Sequence, residues 1–275
     1  MKNYSYKRSF DLKGKTAIVT GGLGILGKHF CRGLAEFGAN VVVVDLIDYE
    51  VQEFALELET LYGVKCLGLS CDVSSPHSVK KMVEEAVREF GEIHILHNNA
   101  ASKSKDLDAF FAPFEDYSIE QWREIISVNM EGMFLVAQAV GKQMVLQNKG
   151  GSIIQTGSIY GIVAPDNRIY EDSFYLNRQI NTPAVYSSSK ASVIGLTKYL
   201  ATYWAPNGIR VNTLIPGGVK SGQNAEFIQK YSNRVPLSRM AQPEELVGAL
   251  IYLASDASSY VTGQQIVVDG GMSVW

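Results

Sequence analysis

The chain has 275 residues, 46% of them hydrophobic, and 25 Lys and Arg against 28 Asp and Glu leave a net charge of −3. That is ample apolar material for a buried core, and the absence of any basic stripe or block argues against a nucleic-acid partner. No apolar run approaches the ~20 residues a membrane span needs, the polar N-terminus MKNYSYKRSFDLKGK is no signal peptide, and Cys31, Cys66 and Cys71 have neither metal-ligand nor disulfide spacing. A soluble, cytoplasmic protein without a metal is expected.

Short β-branched runs alternate with longer helical patterns. Strands are predicted at 15–20 (KTAIVT), 40–45 (NVVVVD), 64–70 (VKCLGLS), 93–99 (IHILHNN), 152–158 (SIIQTGS), 209–217 (IRVNTLIPG) and 264–270 (QQIVVDG). They are apolar nearly all round, as strands covered on both faces should be. Ser75-Pro76 opens a helix that stops at Gly91, Pro183 opens the helix carrying Tyr186, and Pro243 opens another. Proline costs nothing at a first helical position, where its missing N–H would be unpaired anyway. The alternation predicts one α/β domain over 1–275, a doubly wound parallel sheet of seven strands with helices on both faces. Two stretches stand outside this pattern, 101–117 and 161–183; loops this long are usually lids or binding loops, or else disordered.

The first strand runs into TGGLGILGKHF, where Gly21, Gly24 and Gly27, with Ile25 and Leu26 between them, open a helix. Glycine lets backbone approach a pyrophosphate, and the helix N-terminus stabilises its charge. Asp45, at the end of the second strand, is placed to accept from ribose hydroxyls. It would repel a 2′-phosphate, and no Lys or Arg lies inside the turn, so NAD is expected over NADP. Asp72-Val73 is placed for the adenine edge and Asn99-Ala100-Ala101 for the underside of the dinucleotide. Tyr186 and Lys190 lie four residues apart on one helical face. A phenol that titrates near ~10 needs a nearby cation to work as acid or base at neutral pH.

Taken together, TGGLGILG, Asp45, Asp72, NNAA at 98–101, Asn129 in SVNMEG, Ser158 in QTGSIYG, YSSSK at 186–190, IRVNTLIPGG and VVDGG resemble the short-chain dehydrogenase/reductase family from about Phe10 to Gly271. The resemblance implies a Rossmann-type fold, a nicotinamide cofactor and a homotetramer or dimer built by helix packing, with 118–148 and 184–205 in the contacts. It implies Tyr186 as catalytic acid/base, Lys190 as the group lowering its pKa and holding the nicotinamide ribose, and Ser158 as the hydroxyl positioning the substrate oxygen. Asn129 would hold a relay water, and Pro216, Gly217 and Val219 would flank the nicotinamide. The glycine turn reads TGxxGxxG, Ala101 replaces a glycine, and Ser221 stands where a threonine is usual. Ser158 and Tyr186 are separated by an unusually long insertion holding Asp166, Asn167, Arg168, Tyr170, Glu171, Asp172, Tyr175, Asn177 and Arg178. Aromatic faces among forked donors suit a sugar or its phosphate; an oligomer contact or a plain surface loop is the alternative. SIYGIVAP and TPAVYSSSK add a likeness to members from surface-glycan and flagellin-sugar pathways.

The reading that follows is an oxidoreductase interconverting a secondary alcohol and a ketone on a sugar-like small molecule. A sugar epimerase or dehydratase that retains its NAD is the alternative suggested by TGxxGxxG, opposed by the chain's closing at its last strand. A non-catalytic dinucleotide sensor would not need the Ser158, Tyr186, Lys190 and Asn129 set.

Overall fold

A computed structural model describes residues 5–275. All seven expected strands are present: β1 (Thr16–Thr20), β2 (Asn40–Asp45), β3 (Cys66–Ser70), β4 (Ile95–Asn98), β5 (Gly151–Thr156), β6 (Ile209–Pro216) and β7 (Gln265–Val268). They pair in the order β3-β2-β1-β4-β5-β6-β7, parallel throughout, with Ala17 level with Val41 and Ile18 level with Leu96. Every residue of β1 is buried, which is why alternation is absent from its sequence.

Helices α1 (Ile25–Glu36), α2 (Asp48–Tyr62) and α8 (Val247–Ala254) cover one face, with Phe30, Leu34, Phe54 and Leu250 in their core. The other face is covered by α3 (Pro76–Phe90), α5 (Met133–Gln147) and α6 (Ala184–Tyr203), around Val83, Val140, Leu200 and Trp204. Ser75 caps α3 by accepting from Ser78 N. Pro183 stands one residue outside α6, as its cap. Among the described residues no helix is long and apolar enough to cross a membrane.

Sheet order reverses beside β1, where the chain leaves toward β2 on one side and β4 lies on the other. Parallel strands deliver all their carboxyl-end loops to one edge, so the glycine turn, Asp45, Asp72, Asn99, Ser158 and Pro216 arrive at a common crevice. Two features had no sequence signal. Helix α4 (Ile119–Ile126) continues into α5 through a π turn, Ser127–Gly132, that carries Asn129. The 161–183 insertion folds as 3-10 turns and a two-residue ribbon, Phe174–Tyr175 against Arg178–Gln179. It packs Ile169, Tyr170 and Ile180 against Phe227 and Tyr231 of α7 (Ala225–Ser232), a third apolar cluster above the crevice.

Candidate active site

A cleft of about 690 Å³ runs along the carboxyl edge of the sheet, lined by Gly21, Gly24, Ile25, Leu26, Gly27, Asp45, Asp72, Val73, Asn99, Ala100, Ala101, Ser158, Tyr186, Lys190, Pro216, Gly217 and Val219. These are the residues singled out from sequence, Asn129 excepted. The glycine turn is required by geometry. Gly21 has φ of +65°, and a Cβ there would lie 2.9 Å from Ala100 Cα; at Gly27 it would lie 2.0 Å from the Gly21 carbonyl oxygen. Gly24 caps α1 with no side-chain acceptor, so the first amides of the helix point at the cleft unpaired, a natural anion seat. The donor set and the bare backbone fit a dinucleotide diphosphate. Gly27→Ala is expected to weaken NAD binding at least ~100-fold and to cost about 1–3 kcal/mol of stability through overpacking. Calorimetric titration and thermal denaturation check this, and a wild-type Kd would contradict it.

Asp45 organises the turn as well as facing the cleft. Its Oδ2 accepts from Leu23 N at 3.0 Å and its Oδ1 from Leu46 N at 2.8 Å. A carboxylate has about four lone-pair positions, so two remain for ribose hydroxyls. Asp72 accepts from Ser74 N and Oγ at 2.9 and 2.6 Å. Asn99 ties strand ends together: Nδ2 donates to the Thr20 and Gly21 carbonyls at 3.2 and 3.3 Å, and Oδ1 accepts from Thr156 Oγ1 at 3.2 Å.

The cleft opens into a chamber of about 230 Å³, and Ser158 and Tyr186 line both spaces. Ser158 follows β5 and is buried, its Oγ accepting from Tyr160 N at 3.2 Å. Tyr186 stands in the first turn of α6 and Lys190 one turn on. Lys190 is only 3% exposed, and its Nζ donates to the Thr156 carbonyl at 3.0 Å.

The electrostatics differ from the sequence expectation in one respect. Burial raises the Tyr186 phenol above its ordinary value, a hydrogen bond with Ser158 opposes this, and Tyr170 adds to it. Lys190 does not enter as a lowering influence. Burial pushes Lys190 itself down to about 8, because its ammonium lies under β5 with one carbonyl for company and no carboxylate. In the protein alone the pair is a desolvated phenol and a strained ammonium, and burial outweighs attraction.

Asn129 lies outside the lining of the cleft and is anchored to the loop after β4. Its Oδ1 accepts from Ser102 N at 2.7 Å and its Nδ2 donates to Ser102 O at 3.4 Å. The carboxamide is committed to the backbone that follows β4, which the π turn brings within reach.

Of the nine insertion residues expected to meet a substrate, only Tyr170 and Tyr175 line the chamber. None of the charged ones lines it, and both arginines are paired. Arg168 grips Asp166 through Nε and Nη2 at 2.9 and 2.8 Å, and Arg178 Nε reaches Asp108 at 2.7 Å. That second pair, with Asn181 Nδ2 donating to the Phe111 carbonyl at 2.7 Å, fastens the insertion to the 101–117 loop, so both long loops serve as walls. Sequence reasoning missed Lys103, Asn181, Thr182 and Gln223 in the lining; the only signal was that Lys103 belongs to one long loop and Asn181 and Thr182 to the other. Ser221 lines both spaces, its Oγ accepting from Gln223 Nε2 at 2.9 Å.

Residues 15–171 match the family model described as short chain dehydrogenase, and 169–273 match one described as Enoyl-(Acyl carrier protein) reductase. D-threitol dehydrogenase of Mycolicibacterium smegmatis is 33% identical over 96% of this chain and 95% of its own length. A solved gluconate 5-dehydrogenase from Burkholderia cenocepacia, in complex with NADP and tartrate, superposes with a TM-score of 0.86 at 31% identity, covering 99% of this chain and 100% of that one. An NAD+-bound xylitol dehydrogenase superposes at 0.82 with 28% identity, over 94% of this chain and 99% of its own. These relatives carry polyol and sugar-acid names; none carries a surface-glycan name.

Proposed function

Because the chain belongs to the short-chain dehydrogenase/reductase family, and so is an oxidoreductase acting on CH–OH groups, we propose that it interconverts a secondary alcohol and a ketone on a small polyol or sugar derivative, with NAD as the hydride carrier. The observation that carries this reading is that Ser158 and Tyr186 line the wall shared by the long cleft and the small chamber. A hydroxyl entering the chamber meets a serine and a phenol at the place where the cleft ends. The chamber is smaller than the roughly 300–1,000 Å³ of drug-sized ligand sites; its walls set Phe110, Ile159, Ile180 and Phe227 among the hydroxyls of Ser158, Thr182 and Tyr186, which suits a short polyol with both carbon and hydroxyl faces. The relatives named for threitol, gluconate and xylitol support the same substrate class.

The nicotinamide supplies the hydride acceptor when bound. The chain's own task is to place the alcohol carbon beneath it and to take one proton. Ser158 Oγ would hold the reacting oxygen, and Tyr186 Oη, once ionised, would take its proton while the carbon gives hydride to the bound nicotinamide. Lys190 would hold the nicotinamide ribose, and its charge one helical turn from Tyr186 would favour the phenolate that the reaction needs. The Asn129 carboxamide holds Ser102 with one acceptor position and one N–H, which leaves a second of each for a relay water.

NAD preference is read from charge placement. Asp45 and Glu50 stand at one end of the cleft, while its cations, Lys103 and Lys190, lie by the chamber. A 2′-phosphate at Asp45 would juxtapose like charges, which costs several kcal/mol. The wild-type Kd for NADP is expected to exceed that for NAD at least ~30-fold, and Asp45→Asn to narrow the ratio at least ~10-fold. Equal or tighter NADP binding by the wild type would overturn the assignment. Steady accumulation of NADH with a polyol substrate separates this function from an NAD-retaining epimerase, which shows none. A homotetramer is part of the same proposal: Phe134, Leu146, Tyr199 and Tyr203 are exposed on α5 and α6, whereas Trp204 is core.

A further inference from the structure

Lys103 is the only charged residue lining the substrate chamber. It belongs to both the chamber and the cleft beside it, and its Nζ sits 5.0 Å from the centroid of the Tyr175 ring. Its backbone is set by its neighbour, since Asn129 clamps Ser102 through both carboxamide atoms. The nearby acids are engaged elsewhere. Asp106 caps the helical turn Leu107–Phe110 by accepting from Ala109 N at 3.0 Å, Asp108 holds Arg178, and Glu124 accepts from Ser104 Oγ at 3.1 Å. Among the described residues no carboxylate pairs with Lys103 within 4.0 Å. Protein surrounds the ammonium enough to push its pKa down, although the open mouth of the cleft keeps the side chain accessible.

Lys103 stands at the open mouth of the chamber as its one charge, without a carboxylate partner, so an incoming anion can pair with it there. The aromatic face beneath it leaves the donors free to reach a ligand while holding the side chain in place. The remaining polar lining, including Asn181, Thr182, Ser221 and Gln223, is neutral and suits hydroxyls. The arginines of the insertion do not serve this purpose, since Arg168 and Arg178 are spent on Asp166 and Asp108 outside the chamber.

We infer that the substrate is an anionic polyol, carrying a carboxylate or phosphate at one end that Lys103 binds while the alcohol being oxidised lies at Ser158 and Tyr186. This inference rests on the polyol dehydrogenase reading above and narrows it. A carboxylate and a phosphate share the chemistry that Lys103 recognises.

The test uses one carbon skeleton with three end groups. Glucitol, gluconate and glucitol 6-phosphate, with their manno and galacto counterparts, are assayed by NADH formation on the wild-type, Lys103→Met and Lys103→Arg proteins. The wild type is expected to favour the aldonate or the phosphate over the matching neutral alditol by roughly 10- to 100-fold in kcat/KM, the worth of one charge-assisted hydrogen bond. Which of the two wins identifies the source of the charge. Lys103→Met should collapse that ratio toward one, mainly through KM, and Lys103→Arg should restore most of it. The NAD Kd of Lys103→Met should stay within about threefold of wild type.

Neutral alditols used as well as or better than their anionic forms would overturn the inference and leave the dehydrogenase reading intact. So would a ratio unmoved in Lys103→Met, or a loss traced wholly to weaker NAD binding. No turnover of any polyol, neutral or charged, would overturn both.

Discussion

Tyr186→Phe is expected to lower kcat for polyol oxidation by roughly 10³- to 10⁴-fold, the upper range for losing a positioned proton acceptor, while the NAD Kd changes less than about threefold. The substitution deletes one oxygen from a half-buried ring at the junction of cleft and chamber. The hydroxyl faces open space and its removal leaves no cavity in the core, so the fold should not suffer. Stability and activity therefore separate: Tm stays at or slightly above the wild-type value while turnover disappears. Retention of more than about a tenth of wild-type kcat would remove Tyr186 from the chemistry. A parallel collapse of Tm would make the loss structural.

Lys190→Met should show the opposite signs for function and stability even more clearly. Burial holds the Lys190 pKa near 8 against an ordinary 10.5, so the unfolded chain binds more protons than the folded one between those values. Stability from this group is fully present above pH 10.5, and is lost as pH falls through 10.5 to about 8, below which the full penalty applies. Methionine removes the penalty but leaves the Thr156 carbonyl without its donor, which returns about 1 kcal/mol. At pH 7 the variant should be more stable by on the order of 1–2 kcal/mol, about 3–6 °C in Tm for a chain of this size. The gain should shrink to nothing, or reverse, near pH 10.5. Turnover should fall at least ~100-fold at every pH, because the ribose seat and the cation beside the phenol go together. A variant that is less stable at pH 7, or whose advantage does not narrow as the solution is made alkaline, would show that Lys190 is not held at a cost.

These two residues also mark where sequence was a good guide and where it was not. Positions whose identity is forced by backbone contact were readable: no side chain fits at Gly27 against the Gly21 carbonyl, and strands such as β1 lack alternation because helices bury both faces. The Tyr186–Lys190 spacing correctly put both groups beside one cleft. It could not tell their balance, because a helical interval says nothing about how deeply the turn is buried or that Thr156 would offer the ammonium a carbonyl.

The insertion shows the limit most plainly. Its residues suggested sugar-binding arginines, yet Arg168 lies two residues from Asp166 and folds back on it, a local pairing that wins because it needs no chain closure. Its ribbon turns at Leu176 and Asn177 with φ of +48° and +61°, and no glycine announces it. The π turn at Ser127–Gly132 was equally silent, since it exists to let Asn129 meet Ser102, a long-range contact. Lys103 reads as one lysine in a polar loop, and only the meeting of two loops places it on the rim of the chamber.

The most direct trial of the account is a ternary structure with NAD and a polyol that the enzyme oxidises slowly or not at all. The expected result places one substrate hydroxyl about 2.6–3.2 Å from both Tyr186 Oη and Ser158 Oγ, with its carbon facing the nicotinamide. A substrate seated with its hydroxyls away from that pair, or a nicotinamide ring lying clear of the chamber, would contradict it.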